Sequence, residues 1–320
     1  GDDAVAGNVS LTVINGSVFA TSASLLSDAT SGLGAISTGS ATSGSAKIVV
    51  SAPAGSTSNS VSFGDLTISS AASHGFFSRQ QPVSGGNATS GEVSLSVSGG
   101  TYSSRSLSLY SDAITYSVSD QSPLDATAGA VSVSFSDIPT RFQTGSIYVS
   151  NYASASDGGV VSLGNVSLSL DNANAGTSLV TNNGTLLGPV SLGSSAYGDL
   201  INPNTVSLNL TNNSQLDTLD ASVYLSASGS YASGTQRSAN VSFVSDASTL
   251  NAGYLSLSSD ASSYESGVDS QSGAVTAILR NGSSVTSSSG TYLRSQAIGG
   301  SGFDGGSGTG GAVGFTLSDS

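Results

Sequence analysis

The chain of 320 residues has no cysteine, no methionine, no tryptophan and one histidine, His74. Without cysteine there is no disulfide framework, no iron–sulfur cluster and no thiolate zinc site, and one imidazole cannot complete a zinc ligand set. Cations are almost as scarce. Lys47 is the one lysine, and Lys plus Arg number 7 against 20 Asp plus Glu. A nucleic-acid binder needs a basic face, so that class of partner is excluded. No run approaches the ~18 apolar residues of a membrane-spanning helix, so no membrane span is expected. Glutamate is confined to Glu92 and Glu265. With Glu, Lys, Met and Gln all rare, the strong helix formers are missing.

What is abundant is small and polar. The chain holds 75 Ser and 41 Gly, and only 8% of it is charged, against ~25% in an ordinary globular protein. Apolar residues alternate with serine in short runs: Val93-Ser94-Leu95-Ser96-Val97, Val131-Ser132-Val133-Ser134-Phe135, Val166-Ser167-Leu168-Ser169-Leu170, Val206-Ser207-Leu208-Asn209-Leu210. Such alternation puts one face of a strand in a core and the other in water. Asn15-Gly16, Gly99-Gly100, Asn183-Gly184 and Asn281-Gly282 separate these runs as turns. The chain therefore reads as all-β.

A repeat is visible. Val9-Ser10-Leu11-Thr12-Val13 leads to Ser24-Leu25-Leu26-Ser27-Asp28-Ala29, and 84 positions later Val93 to Val97 leads to Ser108-Leu109-Tyr110-Ser111-Asp112-Ala113. Looser copies start at Val131, Val166, Val206, Val241 and Val275, and a poor one lies around Ile48. A strand–loop–strand unit of this size reads as a hairpin. The expected fold is tandem antiparallel β-sandwich domains. Residues 1–200 form the first sandwich region, as one domain or as two split near 121–128. Residues 201–298 form a further sandwich domain, and 299–320 a Gly-rich linker and terminal strand. Gln121 to Asp125 and Ile201 to Asn204, each with a proline, mark the boundaries. The alternative is a β-solenoid. It ranks second because its familiar rungs are ~20–30 residues and regular.

Candidate chemistry is sparse. His74 is the only ordinary general base, no Gly-x-Ser-x-Gly elbow exists, and the histidine reads as a surface or loop residue. No catalytic residue and no cofactor are expected. Asp28, Asp112 and Asp260 follow strand-like runs and read as turn caps. Gly299-Gly300-Ser301-Gly302-Phe303-Asp304 matches the first six positions of a calcium-binding nonapeptide. No tandem copy follows, so Asp304 is a weak metal candidate, the stretch reads as linker, and no metal site is expected. Nine sequons mark glycosylation candidates: Asn8, Asn15, Asn87, Asn165, Asn183, Asn209, Asn212, Asn240 and Asn281. For assembly through a shared strand the candidates are Val313, Phe315 and Leu317, with Val9, Leu11 and Val13 as the alternative donor.

The chain starts at Gly1, which is expected of a secreted protein whose signal segment has been removed. The lack of cysteine and the hydroxyl-rich, charge-poor surface point outside the cell. In composition and alternation the whole chain resembles secreted bacterial or archaeal surface proteins: adhesin passengers, filament subunits and cell-envelope layers. It carries no family-specific motif. The expected function is that of a structural, non-enzymatic subunit of an extracellular surface filament or envelope layer. Its partner is itself, as a homopolymer joined by β-strand pairing. The alternatives are an adhesin or stalk-tip protein that binds surface glycans, and a secreted polysaccharide-active β-protein using an Asp pair.

Overall fold

The computed structural model describes residues 3–31, 39–53, 60–74, 86–115, 123–155, 158–181, 184–202, 204–231, 235–301 and 304–318. Among the described residues there is no helix. The strands fall into nine successive turns of chain, here called coils. Coil one holds β1 (Ala4–Val5), β2 (Val9–Ile14) and β3 (Val18–Ser31). Coil two holds β4 (Ala41–Thr42), β5 (Ala46–Ser51) and β6 (Ser60–His74). Coil three holds β7 (Ala88–Thr89), β8 (Val93–Ser98) and β9 (Thr101–Ile114). Coil four holds β10 (Ala126–Ala128), β11 (Val131–Thr144) and β12 (Ile147–Ser154). Coil five holds β13 (Val160–Leu163), β14 (Val166–Gly176), a hairpin of β15 (Ser178–Thr181) and β16 (Gly184–Leu187), and β17 (Val190–Tyr197). Coil six holds β18 (Asp199–Asn202), β19 (Thr205–Thr211), β20 (Gln215–Asp217) and β21 (Ser222–Tyr231). Coil seven holds β22 (Gln236–Arg237), β23 (Asn240–Asp246), β24 (Thr249–Ala252) and β25 (Tyr254–Ser263). Coil eight holds β26 (Ser270–Gln271), β27 (Val275–Arg280), β28 (Ser284–Ser287) and β29 (Thr291–Ile298). Coil nine holds β30 (Gly308–Thr309) and β31 (Val313–Ser318).

Most strands pair in parallel with their counterparts one coil on. The first sheet runs β2-β5-β8-β11-β14-β19-β23-β27-β31. The second runs β3-β6-β9-β12-β17-β21-β25-β29. A third, narrower sheet runs β1-β4-β7-β10-β13-β18 and, after a contact between β18 and β22, β22-β26-β30. The hairpin of β15 and β16 is the one antiparallel pair among the described strands. This overturns the antiparallel sandwich expectation. Alternation tells which face of a strand is buried and is silent on the direction of its partner. Here each repeat stacks in register on its own copy in parallel, and the rest of the coil is the crossover that parallel pairing needs. The pairing is compatible with the solenoid alternative, with longer rungs than it was held to: Val241 to Val275 is 34 residues and Ala46 to Val93 is 47.

The ladder of the first sheet is unbroken from β2 to β31. Within the suggested boundaries and the Gly-rich run, Gln121, Ser122, Pro203, Gly302 and Phe303 lie outside the described residues. β11 is long enough to turn a corner, so that Gln143 and Thr144 also pair with β9 and tie the first two sheets together. The hydrogen bonds lie along the stack, and among the described strands β2 and β31 are each paired on one side only.

In-register pairing makes columns of like residues. Val93, Val131, Val166, Val206, Val241 and Val275 are in one inward column, all 0% exposed. The inward residues expected from sequence, Leu95, Val97, Val133, Phe135, Leu168, Leu170, Leu208 and Leu210 among them, are buried. Tyr102, Phe135 and Phe142 cluster in the middle of the core, with ring centroids 4.2 to 5.9 Å apart. A second, smaller core joins sheets two and three. There the column Ala29-Ala72-Ala113-Ala153-Ala196 meets Ala41, Ala88 and Ala126, and only small side chains fit between the converging backbones.

Two corners are built by repeated chemistry. Between sheets one and two, the sixth residue after the column valine is left-handed in most coils. Asn15, Gly99, Asp137, Asn172, Asn212, Ala247 and Asn281 have φ of 48° to 68°. Asn, Asp and Gly tolerate that region best. Between sheets three and one, glycine stands two residues before the column residue at Gly7, Gly44, Gly91, Gly129, Gly164, Gly273 and Gly311. A Cβ on Gly91 would lie 2.4 Å from the Gly44 oxygen, and one on Gly129 would lie 2.2 Å from the Gly91 oxygen. The glycines admit a buried serine from sheet two. Ser70 and Ser111 donate to the Gly44 and Gly91 carbonyls at 2.9 and 3.0 Å. They accept the N–H of the next coil's Gly91 and Gly129 at 2.7 and 2.9 Å. Ser259 and Ser295 repeat this with Ala239, Gly273 and Gly311. Each buried hydroxyl is thus satisfied and clamps two coils together.

Two substitutions test this account. Phe135→Ala should lower stability by about 3–5 kcal/mol, because a fully buried ring leaves a cavity. Because each coil touches only its neighbours, faster amide exchange should centre on coils three to five. Gly91→Ala should also destabilise, whereas Gly7→Ala, with nothing within 4 Å of the new Cβ, should leave the melting temperature of the single chain unchanged.

Candidate assembly site

At the far end of the stack the columns run out. Inward positions that are almost fully buried through coils two to eight end in Val313, Phe315 and Leu317, which are 51%, 57% and 60% exposed. They stand in register on Val275, Ala277 and Leu279 of β27. β29 has no further strand beside it among the described residues, so sheet two stops one coil earlier than sheets one and three. The missing level leaves an apolar cavity of about 340 Å³, lined by Phe243, Leu255, Leu279, Leu293, Phe315 and Leu317. The near end is open too. Leu11 is partly buried, Val13 is 9% exposed, and Phe19 is 70% exposed on β3.

The six assembly candidates therefore lie on the two terminal strands of one sheet, β2 and β31. The terminal strand does not leave its own chain. It pairs with β27, and β30 within the Gly-rich run pairs with β26. The described part of the Gly-rich run lies against the preceding coil, with Asp269 Oδ1 taking the N–H of Ser307 at 2.7 Å. That hydrogen bond and a second from the Ser307 hydroxyl hold the Asp269 carboxyl below its usual range.

The remaining candidates are scattered. Asp304 is an exposed turn residue whose N–H donates to Ser266 Oγ at 3.3 Å, and among the described residues no three metal-ligating side chains come together. His74, expected on the surface, is 2% exposed at the end of β6. Burial lowers its pKa, opposed by hydrogen bonds with the Asn87 and Gly86 backbone. Asn8, Asn165 and Asn240 stand just before the column valine. Their Oδ1 atoms accept the N–H of Ser45, Thr205 and Ala274 in the next coil. In the same way Asn87 accepts from Asp125. Three Asn-Val-Ser sequons are therefore also a bracing asparagine, an inward valine and an outward serine. Asn15, Asn212 and Asn281 are exposed at the left-handed corner, Asn209 is half-buried within β19, and Asn183 lies outside the described residues.

The aspartates expected at turns lie inside strands. Asp28, Asp112 and Asp260 share one outward column of sheet two, through Ala71, Tyr152, Ser195 and Ser228. Burial, and then the charge of Asp28, pushes the Asp112 carboxyl up to about 6. Asp65 and Asp260 are paired instead, with Arg105 and Arg294 of the following coils. Sequence reading missed both the glycine–serine clamp and this column. Aligning the coil starts would have shown the recurrent glycine at minus two.

Asp112 gives a test with a definite sign. The folded chain holds that proton up to about pH 6, while an unfolded chain releases it near ~3.9. Stability from this group is therefore greatest below the unfolded pKa and is lost as pH rises through about 6. Asp112→Asn should raise the melting temperature at pH 8 by a few degrees and leave it unchanged at pH 4. No gain at pH 8 would contradict the burial described here.

Comparison with family models, with curated proteins and with solved structures gives no match for this chain.

Proposed function

We propose that the chain is a structural, non-enzymatic rod that extends end to end, one copy stacking its β2 edge on the β31 edge of the next. The reading carries with it an extracellular or cell-surface setting and a homopolymer as the working form. The observation that supports it most is the exposed row Val313, Phe315 and Leu317, since every equivalent position in coils two to eight is buried. Continuing the register places Val9, Leu11 and Val13 of the second copy on that row, as each coil sits on the one before. Covering the exposed half of three such side chains is worth about 1–1.5 kcal/mol each. The contact is head-to-tail and does not close, so it builds a linear polymer.

A second reading, cleavage of a polysaccharide by an Asp pair, has one observation behind it: the raised Asp112 carboxyl in the same column as Asp28. Release of reducing ends from a polysaccharide, lost in Asp112→Asn, would favour it.

The assembly reading is tested by sedimentation over a concentration series and by negative-stain microscopy. Linear particles one rod wide are expected. Phe315→Lys should give monomers with an unchanged far-UV spectrum. So should Gly7→Ala, because the Cβ at this corner points at the preceding coil. A chain that stays monomeric at high concentration would overturn the proposal and give the open end to another strand. Equal polymer from both variants would overturn it too.

A further inference from the structure

The outward face of sheet two carries a second pattern that owes nothing to the ends. Tyr148, Ser191, Tyr224, Ser256 and Tyr292 form one column, each the pairing partner of the next. The three rings fall on alternate coils and are 45%, 41% and 41% exposed. With strands ~4.8 Å apart, rings on alternate coils repeat every ~9.6 Å along the rod. Beside them runs a column of small residues, Ser150, Gly193, Ser226 and Ser258. It is bounded by Tyr110 at one end and Arg294 at the other. A Cβ added to Gly193 would meet nothing closer than 3.7 Å, so the face has a shallow trough along its rings.

Arg105 and Arg294, the two arginines near the rings of this face, are each paired with an aspartate. Arg294 Nη2 bonds Asp260 Oδ2 at 2.6 Å, and its guanidinium lies 5.9 Å from the centroid of the Tyr292 ring. Near Tyr148, an open groove is lined by Asp65, Arg105, Ser106 and Ser146, with Arg105 and Asp65 paired. Asp260 Oδ1 and Arg294 Nε are buried and make no hydrogen bond within the chain. A chain of net charge −13 repels polyanions, and no unmatched cation is seen here to attract them.

We propose that this face binds an extended, neutral, β-linked polysaccharide lying parallel to the rod axis, with Tyr148, Tyr224 and Tyr292 as stacking platforms. In a β-1,4-linked chain of glucose-configured pyranoses all ring substituents are equatorial. Each sugar then presents flat C–H faces to an aromatic ring and its hydroxyls sideways. The disaccharide is close to the ring repeat in length, so alternate sugars meet successive tyrosines. The intervening sugars lie over Ser191 and Ser256, and the trough serines give and take hydrogen bonds with the edge hydroxyls. The paired Arg and Asp side chains add planar donors and acceptors without net charge. An α-1,4-linked glucan such as starch coils and cannot follow a straight row of rings.

Native electrophoresis in gels containing hydroxyethylcellulose, soluble starch or alginate tests the proposal. Retardation by the β-glucan alone is expected. In calorimetry with β-1,4-linked oligosaccharides, affinity should step up about tenfold once the ligand spans two rings, and each Tyr→Ala on the column should cost about tenfold. Tyr264→Ala, which removes a 79% exposed ring outside the column, should bind as the parent does. Folding of every variant is checked by its far-UV spectrum. Absence of retardation by the β-glucan, equal retardation of the folded triple variant, or binding to alginate or starch instead would overturn the proposal.

Discussion

The structure depends on parallel, in-register stacking of each coil on the next. One requirement follows at every position of the chain: a residue must suit its own copy above and below. Inward, that produces valine on valine and leucine on leucine, a match of shape that fills the core without large side chains. At the narrow edge it produces alanine on alanine. At the corner between sheets three and one it produces glycine in seven of nine coils, with Asn204 and Ala239 in the other two. The composition is a consequence of this constraint. Small residues dominate because they stack at ~4.8 Å without crowding, and like charges are few because a stacked charge column repels itself. Where acids do sit in one column, as Asp28 and Asp112 do, an alanine separates them and one carboxyl is pushed up to about 6.

Much of this was legible in the residues. The starts at Val131, Val166, Val206, Val241 and Val275 are coil starts, and the inward set around Leu95, Phe135 and Leu208 is buried. What could not be read was the direction of pairing. Val-Ser-Leu-Ser-Val gives the same pattern beside a parallel or an antiparallel neighbour, and a strand–loop–strand repeat resembles a hairpin until its partner is known. Length was also misleading. Ala46 to Val93 spans 47 residues and Val241 to Val275 spans 34, yet both pairs stand in register.

Site residues were less legible, for the same reason. Asp28, Asp112 and Asp260 occupy equivalent places in sequence, and turn capping was the ordinary explanation. Only the third dimension puts them in one outward column. The tyrosines Tyr148, Tyr224 and Tyr292 lie far apart in the chain and become a row because coils five and seven place serines between them. Serine 70 and Serine 111 looked like any of 75 serines, yet they are buried and hold two coils each.

The hydrogen bonds of a stacked-coil rod run along its length, and this fixes how the molecule carries tension. A pull along the axis loads the ladders of sheets one and two together at each boundary from coil one to coil eight, so no single bond is strained alone. The share is unequal. Sheet three contributes two-residue strands in coils one to three and seven to nine, so sheets one and two bear most of the force, with the glycine–serine clamps loaded alongside them. At the last boundary sheet two is absent. The boundary between coils eight and nine therefore rests on fewer ladder bonds than those before it, and under an axial pull the last coil parts first.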